Sequence, residues 1–198
     1  MTDKHLIVSV ILYCVIHSIT ADSYLMKNVY TKWWYRAFYV FFSIITVIPV
    51  VYIYLNVEKQ PFFDPAMPIR IGLGIIWLMA LGFGAYASRC YDNSSFLGLT
   101  QIINRKKSDD GAHHKKKLVS TGALGIVRHP YYTAGLVLVW ARPMNLSDFY
   151  ITLILTAYFI LGTLNEERKL MKEFGAEYTE YKKRVPMLIP YPVRKNEK

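Results

Sequence analysis

Apolar residues in this sequence arrive in blocks whose lengths approach the thickness of a bilayer, and that one feature excludes most soluble folds. The blocks run over Leu6–Ala21, Ala37–Leu55, Ile69–Ala87 and Leu146–Leu164. A transmembrane helix needs roughly 17–25 mostly apolar residues to cross the hydrocarbon layer. A soluble chain spreads its apolar residues at helical or strand period instead. The pattern predicts an all-α, polytopic transmembrane helical bundle. A fifth apolar run, Tyr131–Ala141, is only about half to two-thirds of a span.

Charge decides whether that short run crosses. The chain carries 24 Lys and Arg against 14 Asp and Glu, a net charge of +10. With five spans, 20 of the 24 basic residues fall on one side; with four, they divide 12 and 12. Basic residues flanking spans gather in the cytoplasm. The strong bias selects five spans, with the N-terminus outside and a helical C-terminal segment in the cytoplasm. Cleavage of Leu6–Ala21 as a leader would put the basic loops outside, so the first block is expected to stay as a span. The same placement argues against nucleic acid as a partner, because the positive residues flank spans and do not interleave with stacking aromatics. Membrane lipids are the expected neighbours.

The chain is long enough for one domain over 1–198. Residues 1–90 are expected to form a three-helix scaffold, and residues 118–192 a helical hairpin and tail. The third block is dense in small residues (Gly72, Gly74, Ala80, Gly82, Gly84), which suit close helix packing. Asn104–Lys117 is charged, with a Ser108–Gly111 turn cluster, and is expected to be a mobile loop. Cys14 and Cys90 show neither a disulfide framework nor metal-ligand spacing and read as buried thiols.

Three polar groups remain. Arg128-His129-Pro130 opens the short run, and Pro130 suits a first helical turn, where its missing N–H costs nothing. Glu166 and Glu167 stand where the last span leaves the membrane, at a helix C-terminus that disfavours anions. Tyr178-x-x-Tyr181-x-x-Arg184-Val185-Pro186 follows, its prolines turning the chain back toward the membrane surface. The loop Arg142–Asp148 is short, so the runs on either side form an antiparallel hairpin. His129 starts it and the glutamates end it on the same side. A pocket there suits a polar cofactor bearing positive groups and a lipophilic acceptor.

These residues resemble a known group. Leu118-Val119-Ser120-Thr121-Gly122, Arg128-His129-Pro130-x-Tyr132, Glu166-Glu167-x-x-Leu170-x-x-x-Phe174-Gly175-x-x-Tyr178-x-x-Tyr181 and Arg184-Val185-Pro186 are similar to isoprenylcysteine carboxyl methyltransferases and membrane phospholipid methyltransferases. Ile16-His17-Ser18, Leu97-Gly98-Leu99-x-Gln101, Trp140-Ala141-Arg142-Pro143-Met144 and Thr156–Ile160 bring the chain closer to membrane methanethiol S-methyltransferases. The first half also resembles NnrU-type membrane proteins. The resemblance implies S-adenosylmethionine as donor, with cofactor contacts at Val119, Arg128, His129, Tyr132, Glu166 and Glu167. It implies that Arg184 orients an anionic acceptor. One departure is plain: Gly122-Ala123-Leu124-Gly125 stands where the carboxyl methyltransferases commonly have Gly-Pro-Tyr-Arg.

A membrane methyltransferase needs no metal, since methyl transfer from a sulfonium is an in-line displacement in which alignment is worth about 7–11 kcal/mol. The expected acceptor is a small thiol such as methanethiol or another lipophilic nucleophile. A prenylated cysteine carboxylate and a phospholipid amine are the enzymatic alternatives. A non-catalytic NnrU-type partner protein belongs to a different class, and a membrane sterol-type reductase is more distant. The sequence leaves the oligomeric state open.

Overall fold

The computed structural model describes residues 1–105 and 118–191. Nine α-helices appear among them: α1 (Asp3–Ala21), α2 (Lys27–Tyr30), α3 (Tyr35–Asn56), α4 (Met67–Ala87), α5 (Asn93–Phe96), α6 (Leu99–Asn104), α7 (Pro130–Trp140), α8 (Leu146–Phe174) and α9 (Ala176–Arg184). Two short extended segments, Pro61–Phe63 and Met144–Asn145, are the only strands among the described residues. Most of the loop expected over Asn104–Lys117 lies outside them.

Four helices, α1, α3, the one beginning at Met67 and α8, are long and apolar enough to cross a membrane. Their large apolar side chains point outward: Phe41, Ile44, Leu55, Leu78, Met79 and Leu161 are each more than half exposed. The fully buried positions include Ser147, Thr152 and Thr163. Apolar groups outside and small polar groups inside is the arrangement that lipid, not water, selects. The protein is an all-α integral membrane protein.

The residues fall into two compact units, neither continuous in sequence, and α8 contributes to both. The first holds Met1–Phe62, the described part of Asp92–Lys115, and Asn145–Ile154. Here α1 and α3 run antiparallel. The Tyr39 hydroxyl lies 2.7 Å from His17 Nε2, and the Tyr35 hydroxyl donates to the Thr20 carbonyl at 3.0 Å. Gly98 has φ +83°, and a Cβ there would come within 2.5 Å of the Ala37 nitrogen, so only glycine fits this close approach. At the other end of these helices, Tyr54 donates to Asp148 at 2.8 Å and Ser147 donates to Asp3 at 2.6 Å.

Those last two bonds place the start of α8 at the same end as the start of α1 and the end of α3. The short run expected as a fifth span is α7, which has 11 residues and about 16 Å of length, short of a full crossing by itself; it is not among the four helices long and apolar enough to cross.

The second unit holds Phe63–Tyr91 and the described parts of Lys116–Met144 and Leu155–Lys198. In it α7 lies antiparallel to α4: Ala134 meets Gly84, and Ala141–Pro143 lie beside Arg70–Leu78. The small residues of α4 are used unevenly. Ala80 and Ala87 are buried, whereas a Cβ on Gly72, Gly74 or Gly82 would meet nothing within 4 Å. Cys14 is buried, while Cys90 is only half-buried.

Candidate active site at the open end of the hairpin

The expected hairpin is present. From its turn outward, Trp140 Nε1 donates to Thr156 Oγ1 at 2.9 Å, Gly135 faces Phe159, and Gly162 faces Tyr132. The last level brings Arg128 and His129, just ahead of Pro130, beside Glu166 and Glu167. Pro130 sits in the first turn of α7, as the sequence predicts.

Glu167 is the hub. Arg128 grips it with two bonds, Nε to Oε1 at 2.8 Å and a terminal nitrogen to Oε2 at 3.0 Å. His129 Nε2 lies 2.8 Å from Oε1, the Tyr178 hydroxyl donates to Oε1 at 2.6 Å, and Lys182 Nζ lies 3.1 Å from Oε2. A carboxylate accepts only, so the tautomer of His129 with its proton on Nε2 is the one that donates to Glu167. Arg128, His129 and Glu167 are all buried. A buried ion pair is tolerable only when its remaining lone pairs and protons are satisfied, and here they are.

The C-terminal segment closes over this hub. Gly175, with φ +53° and ψ −120°, breaks the chain out of α8 in a conformation that favours glycine. Tyr178 and Tyr181 on α9, with Val185 just beyond its end, then pack against Leu118, Leu170, Met171 and Phe174. Burial, followed by the bond to Glu167, pushes the Tyr178 hydroxyl above the ordinary tyrosine range. Burial pushes Tyr181 up to about 12. Its hydroxyl donates to the Leu124 carbonyl at 2.5 Å, within the segment that departs from the carboxyl-methyltransferase pattern. Beyond α9 the chain turns back along the entry to α7. The Arg128 and His129 amides donate to the Pro186 and Met187 carbonyls at 2.9 and 3.2 Å, and Thr133 Oγ1 donates to Leu188 at 2.7 Å.

Glu166 differs from its neighbour. One residue along a helix turns a side chain by about 100°, and Glu166 is 44% exposed, with His129 Nδ1 at 3.4 Å. Nearby, Tyr91 stacks on Tyr131 with centroids 4.9 Å apart. Burial, and then the Glu166 charge, raise the pKa of the Tyr91 hydroxyl. Tyr132 sets its ring edge-on to His129 at 6.0 Å.

The structure therefore brings together Arg128, His129, Tyr132, Glu166 and Glu167. Val119 is 46% exposed and makes no bond to the hub among the described contacts. Arg184 is also exposed, its Nε reaching only the Glu180 carbonyl at 3.4 Å. The guanidinium in the cluster is that of Arg128. Sequence reasoning missed Tyr91 and Lys182 as members; Tyr178 stood in the third polar group without being named a site residue. The i, i+3 spacing of Tyr178 and Tyr181 signalled a buried face, but nothing in the sequence marked Tyr91.

No protein-family model matches the chain, and no solved structure matches it. Curated relatives do. The chain is 28% identical over 191 residues to methanethiol S-methyltransferase 2 of Bradyrhizobium diazoefficiens, covering 90% of this chain and 70% of that protein. It is 28% identical over 194 residues to the methanethiol S-methyltransferase of Pseudomonas deceptionensis, covering 90% and 69%. It is 29% identical over 125 residues to the protein-S-isoprenylcysteine O-methyltransferase of Xenopus laevis, covering 60% and 41%.

Proposed function

We infer that this chain, which belongs to the superfamily of integral membrane methyltransferases that holds the isoprenylcysteine and methanethiol enzymes, moves a methyl group from S-adenosylmethionine to a small thiol. The observation that carries this is the similarity over nine-tenths of the chain to two enzymes named for methanethiol. The residues at the open end of the hairpin fit such a donor. When bound, S-adenosylmethionine supplies a methyl group on a positively charged sulfur. Glu166 offers an exposed carboxylate to its cationic and hydroxyl groups. Tyr131 and Tyr132 offer aromatic faces, which attract both cations and a planar base. Val119 and His129 would line the same site. Arg128 and Glu167, bound to each other, would hold its wall.

Thiols are weak nucleophiles until deprotonated, and a neighbouring cation lowers their pKa. The exposed guanidinium of Arg184 would serve that purpose, holding the thiolate for in-line attack. A site at the lipid boundary also strips water from the nucleophile. The 20-to-4 division of basic residues that five spans would give supports a cytoplasmic location for this site, the tail and Lys183, with Lys59 outside.

A second reading is methylation of a prenylated cysteine carboxylate, favoured by the similarity to the Xenopus protein over 60% of this chain. One experiment separates them: transfer of labelled methyl from S-adenosylmethionine by protein in nanodiscs to methanethiol, longer thiols, prenylcysteine and phospholipid amines. Volatile labelled dimethyl sulfide is the expected product. Labelled prenylcysteine ester alone would favour the second reading, and no transfer to any acceptor would refute both.

A further inference from the structure

We propose that the two adjacent glutamates divide the work of this site: Glu167 is a positioning residue that clasps the C-terminal segment onto the hairpin, and Glu166 is the carboxylate that meets the cationic end of the methyl donor. The second half rests on the reading of the donor given above; the first does not.

A carboxylate presents about four lone-pair positions. Glu167 already has five donor atoms within 3.1 Å: two from Arg128 and one each from His129, Tyr178 and Lys182. Its side chain is 7% exposed. No acceptor capacity is left for a ligand. What its donors have in common is their origin. Arg128 and His129 enter α7, whereas Tyr178 and Lys182 lie on α9, so the carboxylate ties the returning segment to the mouth of the hairpin. Arg128 strengthens the tie by donating to the Val185 carbonyl at 2.5 Å.

Glu166 has the opposite properties. It is 44% exposed, and its contact to His129 is long at 3.4 Å. His129 thus stands between the two carboxylates, with Nε2 committed to Glu167 and Nδ1 turned toward Glu166. The Tyr91–Tyr131 stack lies close enough to feel the Glu166 charge. An exposed carboxylate this close to aromatic rings is a place for a cationic ligand group.

The two roles separate under two measurements on full-length protein in nanodiscs. Trypsin cleavage after Lys182, Lys183 and Arg184 reports release of the clasp. Calorimetry with S-adenosylmethionine reports donor affinity. Glu167→Gln should speed cleavage at least tenfold, and saturating donor should slow it again, because a ligand that binds only the clasped form favours that form. A generally unstable protein would not be rescued in this way. Glu166→Gln should leave cleavage at the wild-type rate and weaken donor binding at least tenfold. Should Glu167→Gln fail to fold, Tyr178→Phe, which removes one donor, should show the same cleavage effect in smaller degree. Wild-type protection in both Glu167→Gln and Tyr178→Phe would overturn the clasp. Wild-type affinity in Glu166→Gln would overturn the ligand role. Absence of donor binding by the wild type would overturn the ligand role together with the donor reading, and the cleavage results would still decide the clasp.

Discussion

Removing Glu167 and removing Arg128 should have unequal and strongly non-additive costs. Both side chains are buried, at 7% and 8% exposure, so the pair is little screened by water. Breaking a buried pair from one side leaves an uncompensated charge, at about 3–5 kcal/mol. Glu167→Ala strands the buried Arg128 guanidinium, which keeps only the Val185 and Lys182 carbonyls as acceptors, and also takes the acceptor from the buried His129 and Tyr178; Lys182, 40% exposed, turns to water. This variant should sit at the upper end of that range. Arg128→Ala leaves Glu167 with His129, Tyr178 and Lys182, so it should cost less, about 3 kcal/mol. In the double variant neither charge is stranded, and the total should fall short of the sum by about 2 kcal/mol. The assay is reversible denaturant or thermal unfolding in a defined detergent for the wild type, both singles and the double. Costs that add to within about 0.5 kcal/mol would refute the shared-network argument.

Three further outcomes are expected. Arg184→Ala should lower kcat and kcat/KM together by on the order of 100-fold with donor affinity little changed, and Arg184→Lys should recover little, if a planar fork holds the acceptor; near wild-type turnover in both would leave it as a headgroup anchor. Tyr181, with its pKa pushed up to about 12 by burial, holds its proton more tightly folded than unfolded. Its contribution to stability is therefore full below about pH 10, the unfolded value, and is lost as pH rises toward 12; melting temperatures across that window should fall less steeply in Tyr181→Phe. Cysteine-accessibility labelling of Lys59→Cys and Lys183→Cys should report opposite faces of the membrane; labelling from the same face would reject the five-span arrangement.

Much of this architecture was legible because lipid imposes coarse rules. Block length gave the four long apolar helices. A short loop gave the hairpin, and with it the proximity of Arg128 and His129 to Glu166 and Glu167. The finer chemistry was not legible. Two adjacent glutamates look alike in sequence, and their separation into a saturated and an open carboxylate depends on the helical phase at which α8 meets α9. That phase is set by Gly175, whose unusual backbone angles no hydrophobic pattern records. The same break turns Arg184 outward while Lys182 faces the hub. Tyr91 was hidden for another reason: it lies outside the motif-bearing half and meets Tyr131 only through the packing of α4 on α7.

The pairing of Pro186, Met187 and Leu188 with Arg128, His129 and Thr133 has a consequence for biosynthesis. A chain inserted from its N-terminus delivers the hairpin to the bilayer first, with the Arg128 and His129 amides still lacking their carbonyl acceptors. The site becomes complete only after the ribosome has released residues some twenty positions beyond Glu167, so a nascent chain stalled anywhere before Leu188 would be an inserted but unfinished catalyst.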